Sequence, residues 1–396
     1  MCYFCNAMKR LSAYLLIFGM LAATLVSCKD DFDIQPKPVT GTEDPVPGGD
    51  DPSNPGADTD GDIDLSILDS PLSKDLILTS GTWLQNASVM QSFALTGDGN
   101  MYACQVAATG EKYKLNVTYK PVTSNTGKQK MQLSLFGHGS NMVLEKAADG
   151  DYLWIGSYGT DTQKDGATYF TNNQTICRVR FEAGKSIIPE DVPQHWYIPG
   201  LKNVHPAIDF ENRHLAIWGS LNSSEGYFYV YDLDEVLALP QKDVLLPLAM
   251  VRGPYENFSS EAMTYWVTAA RLSDLKPVAK ILLKSDGPVG TGSNQGFEIK
   301  NRRIYHYSGG GNNNDGAEAS VSTVTVFNFD GKVLDQRRVM AVASMEDLKN
   351  QGITDTGFME SEGIKIYGDY LYLGYATKNS TDTKRYVTIL KYPFKG

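Results

Sequence analysis

The chain has no surplus of basic charge. Its 36 Lys and Arg stand against 46 Asp and Glu, a formal charge of −10. That excludes a nucleic-acid binder, because no basic stripe is available to replace phosphate counterions. Catalytic signatures are also missing: there is no Gly-x-Ser-x-Gly, no His-Glu-x-x-His and no locally supported Cys-His pair. Helix-type periodicity is scarce, confined to Asp232–Leu239 and to Ser344–Ile353, where an N-cap serine precedes an acidic pair. Cysteine is sparse, and long apolar runs stop after the first 28 residues.

Those 28 residues hold a targeting pattern. "MKRLSAYLLIFGMLAATLVSC" has two positive charges, a short apolar run and then Leu25-Val26-Ser27-Cys28. It resembles a bacterial lipoprotein signal, in which the lipobox cysteine becomes the acylated first residue of the mature chain. The resemblance implies lipidation of Cys28 and removal of residues 1–27, anchoring the protein to a membrane without spanning it. Met8 is the more natural start. Cys104 and Cys177 remain, each within an alternating apolar strand where a buried free thiol is commoner than a disulfide.

Residues 28–78 read as an acidic, Pro/Gly-rich disordered tether with 13 Asp and Glu against 3 Lys. "DTDGDIDLSILD", Asp58 to Asp69, has the glycine in the wrong place for an EF-hand and no closing glutamate, so it reads as solvated spacer. The acidity belongs to this tether and not to the folded part, residues 79–396. Lys29-Asp30-Asp31-Phe32-Asp33 after Cys28 resembles the signal that sends some Gram-negative lipoproteins to the outer face of the outer membrane. A surface location there is the expectation.

Glycine (37) and tyrosine (22) are plentiful, which favours an all-β chain with many turns. One strand-turn-strand sentence recurs. Its opening strands are Gln91–Leu95, Ser140–Leu144, Pro206–Phe210, Gln295–Ile299 and Glu362–Ile366, each followed by a turn and an aromatic second strand. Their central apolar residues, Phe93, Met142, Ile208, Phe297 and Ile364, are separated by 49, 66, 89 and 67 positions. Such units at irregular spacing specify a β-propeller, in which each small sheet buries its faces against its neighbours. Five blades with an insertion near 220–290 fit best; six result if Glu261–Tyr265 opens a degenerate blade.

"MQSFAL", "GHGSNMVLE…YLWIGS", "QGFEI" and "SEGIKI…LYLGYA" resemble the propeller shared by teichoic acid biosynthesis protein C, helveticin J-type bacteriocins and certain phage receptor-binding proteins. Phe136-Gly137-His138-Gly139-Ser140-Asn141 is the most specific piece. The resemblance implies a five-bladed ring that binds or acts on cell-surface polymers. The lipobox departs from the type members, and a Gram-negative host has no teichoic acid.

If the repeats are inner strands, the residues that open them meet at one channel mouth: Gln91, His138 with Asn141, His205, Gln295 and Glu362. Their donors and acceptors suit sugar hydroxyls, and Ser92, Gly139, Gly296 and Gly363 leave backbone accessible beside them. The same side chains suit bonding between blades and buried waters. His138, His205 and Glu362 are of metal-ligand type, but the repeats do not show that they face one another. Glu261 and Glu362 form a carboxylate pair of unknown separation. His195 lies beside Trp196 and Tyr197, aromatic packing or an exposed sugar platform; His214 and His306 fall in second strands, and Ser308–Ser320 reads as a long surface loop. The expectation is a monomeric surface protein that binds a carbohydrate, an envelope polymer or an outer-membrane protein complex, with no cofactor, no metal and no nucleic acid. A hydrolase or bacteriolysin is the alternative.

Overall fold

The computed structural model describes residues 63–107, 114–164, 167–222, 224–248, 263–284, 294–311, 320–381 and 383–394. The strands form five antiparallel blades, so the chain is a five-bladed β-propeller. Blade 1 holds Met90–Leu95, Asn100–Val106, Lys114–Pro121 and Gln129–Ser134, edged by Ser186–Ile187. Blade 2 holds Met142–Ala147, Gly150–Lys164, Ala167–Arg180 and His195–Tyr197. Blade 3 holds Lys202–Asp209, His214–Ser220, Glu225–Asp232 and Ala279–Lys284. Blade 4 holds Asn294–Lys300, Arg303–Gly311, Ser320–Asn328 and Val333–Arg338. Blade 5 holds Met359–Tyr367, Tyr370–Lys378 and Arg385–Pro393, with Ile77–Thr82 as its outer strand.

The first strand of each blade is the innermost, and it is the repeated opening strand of the sequence. Each packs beside the next around the ring. Phe93, Met142, Phe297 and Ile364 have no exposed surface, and Ile208 is almost fully buried. Period-2 alternation puts these side chains between blades. The turns are local. Asn301 and Arg302 have φ of 50° and 58° in the two-residue link from Lys300 to Arg303, the left-handed pair that matches strand twist.

The five-blade expectation with its insertion holds, while the six-blade alternative and the tether boundary are corrected. The strand that begins at Met263 opens no sixth blade. It pairs with Lys242–Leu248 in a hairpin inserted before the last strand of blade 3, and it extends the outer edge of blade 2 beside His195–Tyr197. Glu261 itself lies outside the described residues.

The other correction concerns the tether. Residues 63–78, read as solvated spacer, are packed onto blades 4 and 5. Leu65, Leu68 and Leu76 are buried with Tyr305, Val326 and Tyr392. The Leu65 amide donates to Asp335 (3.0 Å), and Asp69 pairs with Arg337 (3.2 Å). The aspartates between these leucines lower the mean hydropathy, but they face outward and leave the apolar side chains free to bury. The segment then enters Ile77–Thr82, so an early strand closes the ring on the last three. Both helical expectations hold: Leu233–Ala238 is capped by Asp232, and Met345–Asn350 by Ser344.

Leu68→Ala is therefore expected to cost about 2–5 kcal/mol of stability, the range for a fully buried leucine. Urea unfolding of the full chain checks it; a spacer residue would give no change.

Candidate functional site

Four of the five inner strands carry a register shift where they open. Gln91 is the extra residue between the pairs Met90–Gln105 and Ser92–Cys104, and Gln295 that between Asn294–Ser308 and Gly296–Tyr307. One extra residue falls within Asn203–Val204, directly before His205, and one within Glu362–Gly363. A bulge leaves its residue out of the ladder and re-aims the side chain. Of the polar residues singled out in the sequence, Gln91, Gln295 and Glu362 thus fall at bulges and His205 directly after one, while His138 and Asn141 belong to the one opening without a shift.

A closed circuit of contacts brings these openings together. Ser92 Oγ donates to the Gly139 carbonyl (2.6 Å), beside His138. His138 is close enough to His205 to disfavour protonation of that ring. Asn141 Nδ2 donates to the carbonyls of Pro206 (2.7 Å) and Phe297 (3.0 Å). A Cβ at Gly296 would lie 3.3 Å from the Gly363 Cα, and one at Gly363 would lie 3.5 Å from the Ser92 Cα.

Asn141 crosses the axis. Blades 2 and 4 are not neighbours in a five-membered ring, so a bond from Asn141 to Phe297 spans the channel. The corresponding positions on the other inner strands are Ser92, Ala207, Gly296 and Gly363. Their smallness makes room for this amide and for close strand approach. Gly296 (φ 129°) and Gly363 (φ 104°) also adopt backbone that other residues avoid.

Above that layer the polar side chains are buried with unspent bonding capacity. Gln91 and Glu362 are 8% and 4% exposed, and neither side chain has a hydrogen-bond partner among the described residues. His205 Nε2 meets Asn203 Oδ1 (3.1 Å), while its Nδ1 is buried without a partner. Gln295 Nε2 donates to the Gly309 carbonyl (3.0 Å). Asn173 was not foreseen. Its Nδ2 bonds the Val204 carbonyl, its Oδ1 has no partner, and its side chain fills the space beside Gly137 and Gly156. Those two glycines were the available signal.

Burial pushes the Glu362 carboxyl well above the usual carboxylate range, with the nearby Glu360 adding to the effect. Burial thereby favours the neutral form of Glu362, which has both a donor and an acceptor. The same burial keeps His138 and His205 neutral, at about 4 and about 3. Gln91, Gln295, His138 and His205 are thus uncharged at neutral pH. Among the described residues no three His, Cys, Asp or Glu side chains gather as metal ligands, so the metal set of His138, His205 and Glu362 is not assembled.

The other candidates are packing residues. His195 accepts or donates between Ser157 Oγ (3.0 Å) and the Pro189 and Val192 carbonyls (2.9 and 3.0 Å). Trp196 stacks on Trp154 with centroids 4.7 Å apart, and Tyr197 is buried, so they form no exposed platform. His306 lies against Phe228 and His214 against Phe329, both between blades. Cys104 and Cys177 are free and buried. Most of the Ser308–Ser320 stretch, residues 312–319, lies outside the described residues.

Two measurements follow. Asn141→Ala strands the buried Pro206 and Phe297 carbonyls and is expected to cost about 2–5 kcal/mol in urea unfolding. The pH dependence has a definite sign. His138, His195, His205 and His306 are all held below 6.5 by burial. Between pH 6.5 and about 4 the unfolded chain binds protons that the folded chain refuses, so stability falls as pH falls. Glu362 acts in the opposite sense, because its neutral form is lost as pH rises through its folded value. His205→Gln is expected to remove about one proton from the uptake on unfolding at pH 5, read from the slope of unfolding free energy against pH.

No protein-family model matches the chain, and no curated protein matches it. Among solved structures it is similar to the tail fibre of Staphylococcus aureus phage P68, with 15% sequence identity and a TM-score of 0.49 over 80% of this chain. That match takes in 52% of the fibre, so the chain spans about half the fibre's length. It is also similar to a putative glycoside hydrolase from Parabacteroides distasonis (10% identity, TM-score 0.33, covering 79% of this chain and 88% of that one). The catalytic domain of the Coprinopsis cinerea GH62 α-L-arabinofuranosidase is a third (9%, 0.33, covering 79% and 95%). Similarities of this size bear on neither substrate nor activity.

Proposed function

We propose that this protein is a surface-anchored binder of an uncharged portion of an extracellular glycan, gripped at the entrance of the propeller channel. The observation that supports the reading is the recurring bulge. It turns Gln91, Gln295 and Glu362 out of their ladders into one ring with His205. There the side chains of Gln91 and Glu362 have no hydrogen-bond partner among the described residues, and His205 keeps a buried, unpaired Nδ1, while Gln295 spends only its amide nitrogen, on Gly309. A side chain placed only to tie blades together would spend its bonding capacity, because buried unpaired polar atoms are costly. Hydroxyl groups, each donor and acceptor, satisfy neutral Gln, neutral His and protonated Glu alike.

In this reading Cys28 carries the lipid, residues 29–62 are the tether, and the propeller domain begins near Ile63 instead of at residue 79. The domain faces the cell exterior from the outer membrane, and its ligand is a carbohydrate or an envelope polymer. The likeness to teichoic acid biosynthesis protein C and helveticin J-type propellers belongs to the same reading. One observation favours a hydrolase instead: a buried, protonated Glu362 has the form of a general acid.

Glu362→Gln separates the two, because an amide keeps the donor and acceptor of a protonated carboxyl but cannot give up a proton. The full chain and its variants are applied to a glycan array and to a polymer-release assay. For a binder, Glu362→Gln retains affinity and Glu362→Ala loses about tenfold, the cost of about one hydrogen bond. No variant then releases product. Release by the wild type that vanishes in Glu362→Gln establishes the hydrolase. A wild type that binds no glycan sinks both readings.

A further inference from the structure

The channel has a second mouth, where the inner strands end. A cavity of about 210 Å³ lies there, bounded by the C-terminal parts of all five inner strands. Its walls include Ala94, Val143, Ile208 and Ile366, with Phe210 and the half-exposed Tyr367 at the rim. The Asn141 amide stands between this cavity and the entrance.

An ion pair lies against it. Lys365 of blade 5 bonds Glu298 of blade 4, and both side chains are about nine-tenths buried. For stability such a pair is a poor device, since a well-packed apolar pair of the same size does as well or better. Among the described residues the pair is each group's one polar side-chain contact. The carboxylate keeps acceptor sites, and the ammonium keeps donors.

The charge pattern narrows the ligand. Lys365 is offset by Glu298, and Lys146 at the cavity edge is paired with Asp151 at 2.8 Å. The one further charge close to Glu298, the buried Asp209 carboxylate, is taken up by the amides of Glu211, Asn212 and Asn301, so no cation is left unpaired to hold an anion. What remains is one donor group, one acceptor group and apolar walls, in a space below the roughly 300–1,000 Å³ of drug-sized sites. Vicinal hydroxyls on a ring with C–H faces meet all three conditions.

We infer that this exit cavity is a second binding site, which takes a single neutral sugar residue at the Glu298–Lys365 pair. It does not depend on the entrance site, because Asn141 separates the two.

The full chain is labelled with ¹³C in Ala, Val, Ile and Met methyl groups. It is titrated with methyl α-D-glucopyranoside, methyl β-D-galactopyranoside and, separately, sodium sulfate. At least one glycoside is expected to shift Ala94, Val143, Ile208 and Ile366 along a saturating curve, while sulfate does not. Glu298→Gln with Lys365→Gln is expected to weaken that curve about tenfold, one or two lost hydrogen bonds. Should that double variant fail to fold, Thr96→Trp, which fills the rim without touching the pair, must do the same. The inference is overturned if neither glycoside shifts these methyls, or if sulfate shifts them to saturation. Shifts confined to Met142 and Val204 on the entrance side overturn it too, while leaving the entrance reading intact.

Discussion

Two hydrogen bonds from one amide hold the axis of this ring. Five inner strands converge on a line, and the space there admits one medium side chain if the other four positions are small. Asn141 takes the space, and Ser92, Ala207, Gly296 and Gly363 yield it. The Pro206 and Phe297 carbonyls that Asn141 satisfies belong to blades 3 and 4. A hydrophobic residue of the same size would fill the volume but leave both carbonyls bare, at the cost of a buried unmet acceptor each. The two glycines are constrained in turn. A Cβ at 296 would press on the Gly363 backbone at 3.3 Å and one at 363 on the Phe93 ring at 3.2 Å, each at a positive φ that side chains avoid.

Much of this was legible because a propeller repeats. The alternation around Phe93, Met142, Ile208, Phe297 and Ile364 marked the inner strands, and the polar residue before each marked the mouth. What could not be read follows from what repetition hides. Asn141 occupies the repeat position of Ser92 and Gly296, so it resembled one more polar residue in a series, although it is the one that fills the centre. The smallness of the glycines looked like access for a ligand and is access for Asn141. Asn173 lies in a third strand and reaches the mouth only because Gly137 and Gly156 clear a path for it, a dependence no single-strand pattern contains.

The misplaced tether boundary has a different cause. Composition averages over a window, and the aspartates around Leu65 and Leu68 outweighed them. Burial is decided residue by residue, through which side chains face the surface of blades 4 and 5. The stretch leads into Ile77–Thr82, whose pairing with Arg385–Pro393 joins the two ends of the propeller. An open ring would expose the outer edge of blade 5 as unpaired donors and acceptors. Ordering residues 63–76 against the core fixes the chain that delivers the closing strand, so the acidic segment does structural work that its charge conceals.

The axis is thus divided into two compartments of unlike chemistry. At the entrance burial keeps His138 and His205 neutral and favours the neutral form of Glu362, and His205 Nδ1 and Asn173 Oδ1 are left unpaired. At the exit an acid and a base neutralise each other within apolar walls. With Asn141 between them, no polymer threads the channel. On the proposed glycan reading, a chain would meet either mouth by its end, by a branch, or by lying across it, so contact at each mouth would be limited to a few sugar residues. Affinity for a long polymer must then be gathered elsewhere, over the rims of the blades or by many anchored copies acting together, where effective concentration multiplies weak individual contacts. On the proposal that a lipid and a tether hold the protein at a surface, that second route is the one open to it.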